Sequence, residues 1–298
     1  MKKVWFITGS SKGLGKSLVE AVLLKGDYVV ATARNPQQLK ELVEQYPEQL
    51  LTLELDVQNK EQIYATVEET VKHFGRIDVL VNNAGFGITG AAEAFTNEQV
   101  RNQLEVNLYA PIEVTRAVLP YMRKERSGNI LQISSIGGRV GNAGLSIYQA
   151  AKFGLVGFSE SLSKEVTPLG IKVTCIQPGG FRTEWAGSSM SFAKDIEGYE
   201  VTVGGVKEHL TSGKFLPMGD PAKAAKVMID VVENENPPLH LVLGSEAAAI
   251  LRSTDEKRKE EFEKWLEVTV STDHDEAVNI FETEYGKQYL ANKGIDLK

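Results

Sequence analysis

The sequence predicts a doubly wound α/β fold, a seven-stranded parallel sheet with helices on both faces, followed by a helical C-terminal extension. Two observations predict it. Short apolar runs rich in β-branched residues alternate with longer segments whose apolar residues recur every three or four positions. The short runs are continuously apolar rather than alternating, as in strands covered on both faces. This βαβα rhythm means a parallel sheet with helices on both faces.

The strands are expected at 4–8, 28–33, 51–55, 79–82, 130–134, 172–177 and 239–243. The first helix, 14–24, aligns Leu14, Leu18, Ala21 and Val22; the next, 61–74, aligns Ile63, Val67, Val71 and Phe74. Two long helices are expected at 97–124 and 146–169. The first and fourth strands should lie side by side at the topological switch point, with ligands bound beyond their carboxyl ends. Residues 1–246 read as the sheet domain, and 247–298 as a helical extension packed on it. Two regions break the rhythm. The stretch 184–215 is Gly-rich and carries Trp185, Met190, Phe192, Tyr199 and Phe215, while the charge run 257–261 reads as a solvated helix face.

Composition narrows the function. The 298 residues are 42% hydrophobic and 24% charged, the balance of a globular enzyme, and the net charge is -7. An acidic chain has no electrostatic footprint for nucleic acid and is repelled by anionic membranes. The single cysteine, Cys175, lies in an apolar run and reads as a buried small hydrophobe; with no partner for a disulfide it suggests a reducing compartment. No signal-peptide pattern or long apolar run is seen, so a cytoplasmic location is expected. His73, His209, His240 and His274 are too scattered for a metal motif, and no metal is expected.

The first strand runs into Thr8-Gly9-Ser10-Ser11-Lys12-Gly13-Leu14-Gly15 and then directly into a helix. A pyrophosphate needs close backbone approach, free N–H groups and the positive end of a helix dipole. A glycine triplet alone is weak, but at the first strand-to-helix turn it points to a Rossmann-type dinucleotide site. No Gly-Lys-Ser/Thr closes it, so it is not a Walker loop. The second strand ends at Ala33-Arg34 without a carboxylate, and Lys12 offers a second cation; together they favour the 2′-phosphate of NADP(H).

Tyr148 and Lys152 stand at i and i+4 near the start of a predicted helix, on one face. An ammonium beside a phenol favours the phenolate, lowering its pKa toward working pH for acid/base chemistry. Such a pair is common by chance. Its position, thirteen residues after Ser135 at the end of the fifth strand, gives it weight.

With these residues the sequence resembles the classical short-chain dehydrogenase/reductase family over about residues 3 to 185, and more weakly through Leu243. The set is Thr8-Gly9-x-x-x-Gly13-x-Gly15, Asp56, Asn82-Asn83-Ala84-Gly85, Asn107, Ser135, Tyr148-x-x-x-Lys152 and Pro178-Gly179. The resemblance implies that Tyr148 exchanges the substrate proton, Lys152 binds the nicotinamide ribose and lowers the Tyr148 pKa, and Ser135 orients the carbonyl, with Ser134 the second choice. It implies that Asn107 holds a water linking Lys152 to solvent. The Asn83-Ala84-Gly85 backbone would lie under the adenosine ribose, with the asparagines tying strands together. Asp56 and Val57 would meet the adenine, with a turn-forming Asp as the competing reading. Pro178, Gly179, Phe181 and Thr183 would touch the carboxamide, Phe181 standing where the family has a small aliphatic residue.

The expected activity is hydride transfer between NADP(H) and a carbonyl or secondary alcohol. The substrate should be partly apolar, enclosed by the 184–215 loop; the long extension is similar to the hydroxysteroid and retinol dehydrogenase-like branch. Homo-oligomers are expected through the two long helices. The alternative is an NADP(H)-sensing regulator without turnover, which would not need Asn107, Ser135, Tyr148 and Lys152 together.

Overall fold

A computed structural model describes residues 2–187, 189–212, 216–277 and 279–295. Phe215 lies outside the described residues, as do Ser188, Gly213 and Lys214 of the same loop. Two compact units divide the chain, Met1–Leu251 and Arg252–Lys298.

In the first unit the strands are β1 (Val4–Thr8), β2 (Tyr28–Ala33), β3 (Leu50–Glu54), β4 (Val79–Asn82), β5 (Gly87–Thr89), β6 (Gly128–Ile133), β7 (Ile171–Pro178), β8 (Met190–Phe192) and β9 (His240–Leu243). Its helices are α1 (Gly13–Lys25), α2 (Lys40–Gln45), α3 (Lys60–Phe74), α4 (Asn97–Leu104), α5 (Ala110–Glu125), α6 (Ser146–Val166), α7 (Gly205–Thr211) and α8 (Pro221–Glu233). α9 (Ser245–Val270) begins in the first unit and ends in the second, which also holds α10 (Glu284–Lys293).

The main sheet is seven-stranded and parallel, in the order β3-β2-β1-β4-β6-β7-β9, so β1 and β4 flank the switch point as expected. The pleat explains the continuous apolar runs. Trp5 and Ile7 of β1 face one way, into a core with Leu18 and Val22 of α1 and Met228 of α8. Phe6 faces the other way, among Ile63 of α3, Val114 of α5 and Leu162 of α6. The central strands β1 and β4 are therefore buried on both faces, whereas β3 and β9 at the sheet edges are only partly covered. All seven expected strands form, with ends displaced by a residue or two.

Caps set the helix boundaries near the site. Thr96 and Gln99 form a reciprocal capping box at the start of α4. Asp220 accepts from two first-turn N–H groups of α8, with Pro221 at the next position. The helix expected at 97–124 is not uniform: a π turn, Glu105–Tyr109, joins α4 to α5. Outside the main sheet, β5 and β8 pair in parallel, with Gly87 opposite Met190.

In the second unit the run 257–261 is exposed on α9, as a solvated face should be. Among the described residues, no helix is long and apolar enough to cross a membrane.

Candidate active site

Thr8, the last residue of β1, is buried, and its hydroxyl accepts from the N–H groups of Asn83 (3.0 Å) and Ala84 (3.1 Å). This joins the loop after β1 to the loop after β4. Asn83 completes the join, its Nδ2 donating to the carbonyls of Thr8 and Gly9, both at 2.9 Å. Gly9 has φ +65°, and a Cβ there would lie 2.8 Å from Ala84 Cα. At Gly15 a Cβ would fall 2.4 Å from both Asn83 Nδ2 and the Gly9 carbonyl. Glycine at 15 is what lets α1 start so close to the strand.

The N-cap of α1, Lys12, is extended and gives no side-chain acceptor to the first turn. First-turn N–H groups at the positive end of the dipole are the donors a pyrophosphate requires. The cradle fits a dinucleotide. The Gly13 N–H presently donates to Glu184 Oε2 at 3.2 Å.

Ser10 departs from its expected role. It is fully buried, its hydroxyl donates to the Ile7 carbonyl (2.8 Å) and its N–H to Thr32 (3.0 Å). Ser10 braces the turn and does not face the cavity, because the positive-φ bend at Gly9 turns it inward.

A single cavity of about 730 Å³ gathers Gly9, Ser11, Lys12, Gly13, Leu14, Arg34, Asp56, Val57, Asn83, Ala84 and Gly85 with Asn107, Ser135, Tyr148, Lys152, Pro178, Gly179, Phe181 and Thr183. Positions spread over most of the first unit thus meet in one cleft. Asp56 lines the cleft, and its Oδ1 accepts from Gln58 N at 3.0 Å, the hydrogen bond of a turn-forming Asp. Asn82 ties β4 to its neighbouring strand β6 and to α5: its Nδ2 donates to Gln132 Oε1 (3.0 Å) and to Thr115 Oγ1 (2.9 Å).

Asn107 sits within the π turn, fully buried. Its Nδ2 donates to the carbonyls of Phe86 (2.9 Å) and Gln103 (3.0 Å), and its Oδ1 accepts from Phe86 N at 3.3 Å. A Cβ on Gly85 would stand 2.7 Å from Asn107 Oδ1 and 3.7 Å from Lys152 Nζ. The two polar groups therefore flank the same short piece of backbone. π turns recur at functional sites because the extra residue re-aims a side chain.

Tyr148 and Lys152 are both buried in the first turns of α6. Lys152 Nζ donates to the Ile133 carbonyl at 2.8 Å and stands 5.7 Å from the Tyr148 ring centre. Burial pushes Lys152 down to about 8. Burial also pushes Tyr148 up to about 12, against the opposing effect of its hydrogen bond with Ser135. The expectation that Lys152 draws the phenol toward working pH is thus reversed. The ammonium's hydrogen bond goes to Ile133, and the cost of charging a buried phenol dominates. Ser135 Oγ also accepts from Gly137 N at 2.9 Å, whereas the Ser134 hydroxyl donates to the Lys152 carbonyl at 3.1 Å. Ser134 holds the helix, and Ser135 faces the phenol.

Sequence reasoning left parts of the wall unassigned. The Trp185 ring lies 5.6 Å from that of Tyr148, tilted by 59°. Leu145, Gln149, Met190, His209 and Leu210 line the same cavity. Trp185 was visible as a loop aromatic, but its target was not. Phe181 is accommodated because its neighbour across an isolated bridge is Gly219, whose hydrogens leave room for the ring.

A family model described as short chain dehydrogenase matches residues 3–194. The chain is 42% identical over 273 residues to oxidoreductase BOA17 of Botryotinia fuckeliana, covering 91% of this chain and all of that one (100%). The crystal structure of a short-chain dehydrogenase from Streptomyces avermitilis is similar at TM-score 0.88 and 38% identity, covering 92% of this chain and 100% of that one. The structure of ElxO with NADP bound is similar at TM-score 0.70 and 25% identity, covering 84% of this chain and 100% of that one.

Proposed function

Because the chain belongs to the short-chain dehydrogenase/reductase family, we propose that it is an NADP(H)-dependent oxidoreductase acting on a carbonyl or secondary alcohol. A nicotinamide bound in the cleft supplies or accepts the hydride. The observation that carries the reading is the meeting of Ser135, Tyr148 and Lys152 with the glycine loop in one cavity.

The residues divide the work. Gly9, Gly13 and Leu14 hold the pyrophosphate, and Asp56 and Val57 the adenine. The Phe181 backbone and the Thr183 hydroxyl hold the carboxamide. Tyr148, neutral at pH 7 with its pKa near 12, is in the form that gives a proton to a carbonyl oxygen. Ser135 orients that oxygen, and Lys152, backed by Asn107, binds the ribose and resupplies the proton. Arg34 and Lys12 in the cavity wall, with no carboxylate after β2, support NADP(H) over NAD(H). So does the NADP bound by ElxO.

Leu145, Trp185, Met190 and Leu210 favour a partly apolar substrate. Exposed Tyr109 and Phe153, on the long helical segments, favour a homo-oligomer, which sedimentation would measure. The one cysteine, buried Cys175, suits a reducing compartment such as the cytoplasm.

The test is NADPH consumption, with NADH in parallel, against aldehydes, ketones, quinones, a ketosteroid and a retinoid, with Tyr148→Phe alongside. NADPH-selective turnover lost in the variant is expected. Unchanged turnover in Tyr148→Phe sinks the mechanism. Binding without turnover on any substrate favours the sensing regulator, and NADH preference removes the roles given to Lys12 and Arg34.

A further inference from the structure

One short 3₁₀ turn, Glu184–Ala186, touches both halves of the site. It starts at Thr183, whose hydroxyl accepts from Trp185 N at 3.3 Å. Glu184 then reaches back to α1, where its Oε2 takes the Gly13 N–H at 3.2 Å. The next residue, Trp185, lies on Tyr148 with ring centres 5.6 Å apart, and its Cζ2 would be 3.3 Å from a Cβ on Gly87. Adjacent side chains therefore report to the phosphate cradle and to the catalytic phenol.

The contact lies at the surface, and two features give it weight. Lys12 supplies no capping oxygen, so the first turn of α1 draws its acceptor from a residue far along the chain. The carboxylate also brings negative charge to the positive end of a 13-residue helix, where a pyrophosphate would bring its own. Two anions cannot share one N–H at hydrogen-bonding distance without strong repulsion.

We propose that Glu184 is a built-in competitor for the phosphate cradle: its carboxylate holds the Gly13 N–H, dinucleotide binding displaces it, and the displacement shifts Trp185 against Tyr148. The inference rests on the proposed nicotinamide-dependent function and adds a residue that sets cofactor affinity and couples the two ends of the cleft. The coupling needs no long pathway, since the turn is three residues long and Thr183 anchors its start.

The experiment is a fluorescence titration of the full chain with NADPH and with ADP, which carries the pyrophosphate but no nicotinamide. Wild type is compared with Glu184→Gln, which keeps the length but not the charge, and Glu184→Asp, which keeps the charge but shortens the reach. Loss of one charge-assisted contact should tighten both ligands by about threefold to tenfold in both variants. Trp185 emission, assigned by difference from Trp185→Phe, should shift when ADP binds to wild type, and should start already shifted in the Glu184 variants.

Glu184→Asp at wild-type affinity, with only Glu184→Gln tighter, would mean repulsion through space and overturns the contact. Weaker binding in either variant makes Glu184 a clasp over the cofactor and overturns the competitor. Tighter binding with no Trp185 shift overturns the coupling. If neither wild type nor variants bind NADPH or ADP, the nicotinamide function falls and takes this inference with it. Failure of the inference alone is distinct, because wild type then still binds.

Discussion

Replacing Lys152 with methionine tests the electrostatics of the site without assuming a substrate. The two side chains are of similar length, so packing beside Tyr148 is nearly kept. Burial brings the Lys152 pKa from 10.5 down to about 8, which makes carrying the charge cost about 3 kcal/mol. The hydrogen bond to the Ile133 carbonyl, at 2.8 Å, returns about 1.5–3 kcal/mol. Methionine removes both, so at about pH 7 the variant should lie within about 2 kcal/mol of wild type.

The pH dependence is sharper. Between pH about 8 and 10.5 the unfolded chain holds the lysine proton and the folded chain has released it. Wild-type stability from this group therefore rises across that window, and the methionine variant has no such gain. The difference between wild type and Lys152→Met should move by about 3 kcal/mol in favour of wild type from about pH 8 to about 10.5. Tyr148, raised from 10.0 to about 12, acts in the opposite direction above pH 10, but both proteins carry it and it largely cancels. Urea unfolding followed by far-UV circular dichroism at several pH values measures this. A difference that stays flat would refute the claim that burial depresses Lys152.

Three other outcomes are expected. Reductase turnover should fall above pH about 8, as Lys152 loses its charge while Tyr148 stays protonated; a rate constant through pH 9.5 or so would contradict that order. Gly15→Ala should lose about 2–4 kcal/mol and most nucleotide affinity, because the new Cβ meets Asn83 Nδ2 and the Gly9 carbonyl at 2.4 Å; thermal denaturation with and without NADPH measures both. Asp27 is buried, which by itself raises its pKa, but bonds from Lys3 N, Lys25 and Trp5 hold it below the usual value. Its contribution should therefore be present above about pH 4 and lost as pH falls through the folded value, and Asp27→Asn should cost about 1–3 kcal/mol at neutral pH and flatten the acid limb of stability.

Much of the fold was legible because the central strands are buried on both faces, which writes them as unbroken apolar runs such as Val4–Thr8. The site residues of the switch point were legible for a related reason. Gly9 and Gly15 occupy positions where a Cβ cannot fit, and Tyr148 and Lys152 follow helix periodicity, so local geometry constrains them. Less legible were features set by distant partners. The π turn around Asn107 leaves no mark in a window with ordinary helical spacing, and three-residue strands such as β5 and β8 are too short to carry a period.

The sequence by itself determined the layered α/β architecture, the glycine-rich turn after β1, and the residues Ser135, Tyr148 and Lys152 that meet in the cleft. Local backbone geometry and period-2 or period-3.6 burial are properties of nearby residues, and those survive in one dimension. Only the tertiary structure decided which groups are charged, satisfied or in contact. It turned Ser10 inward, set Ser134 to hold Lys152 and Ser135 to face Tyr148, and reversed the expected direction of the phenol's pKa. It also brought Glu184 to Gly13 and Trp185 to Tyr148. Those outcomes depend on burial and on through-space distances between residues far apart in the chain, and neither quantity exists until the chain has folded.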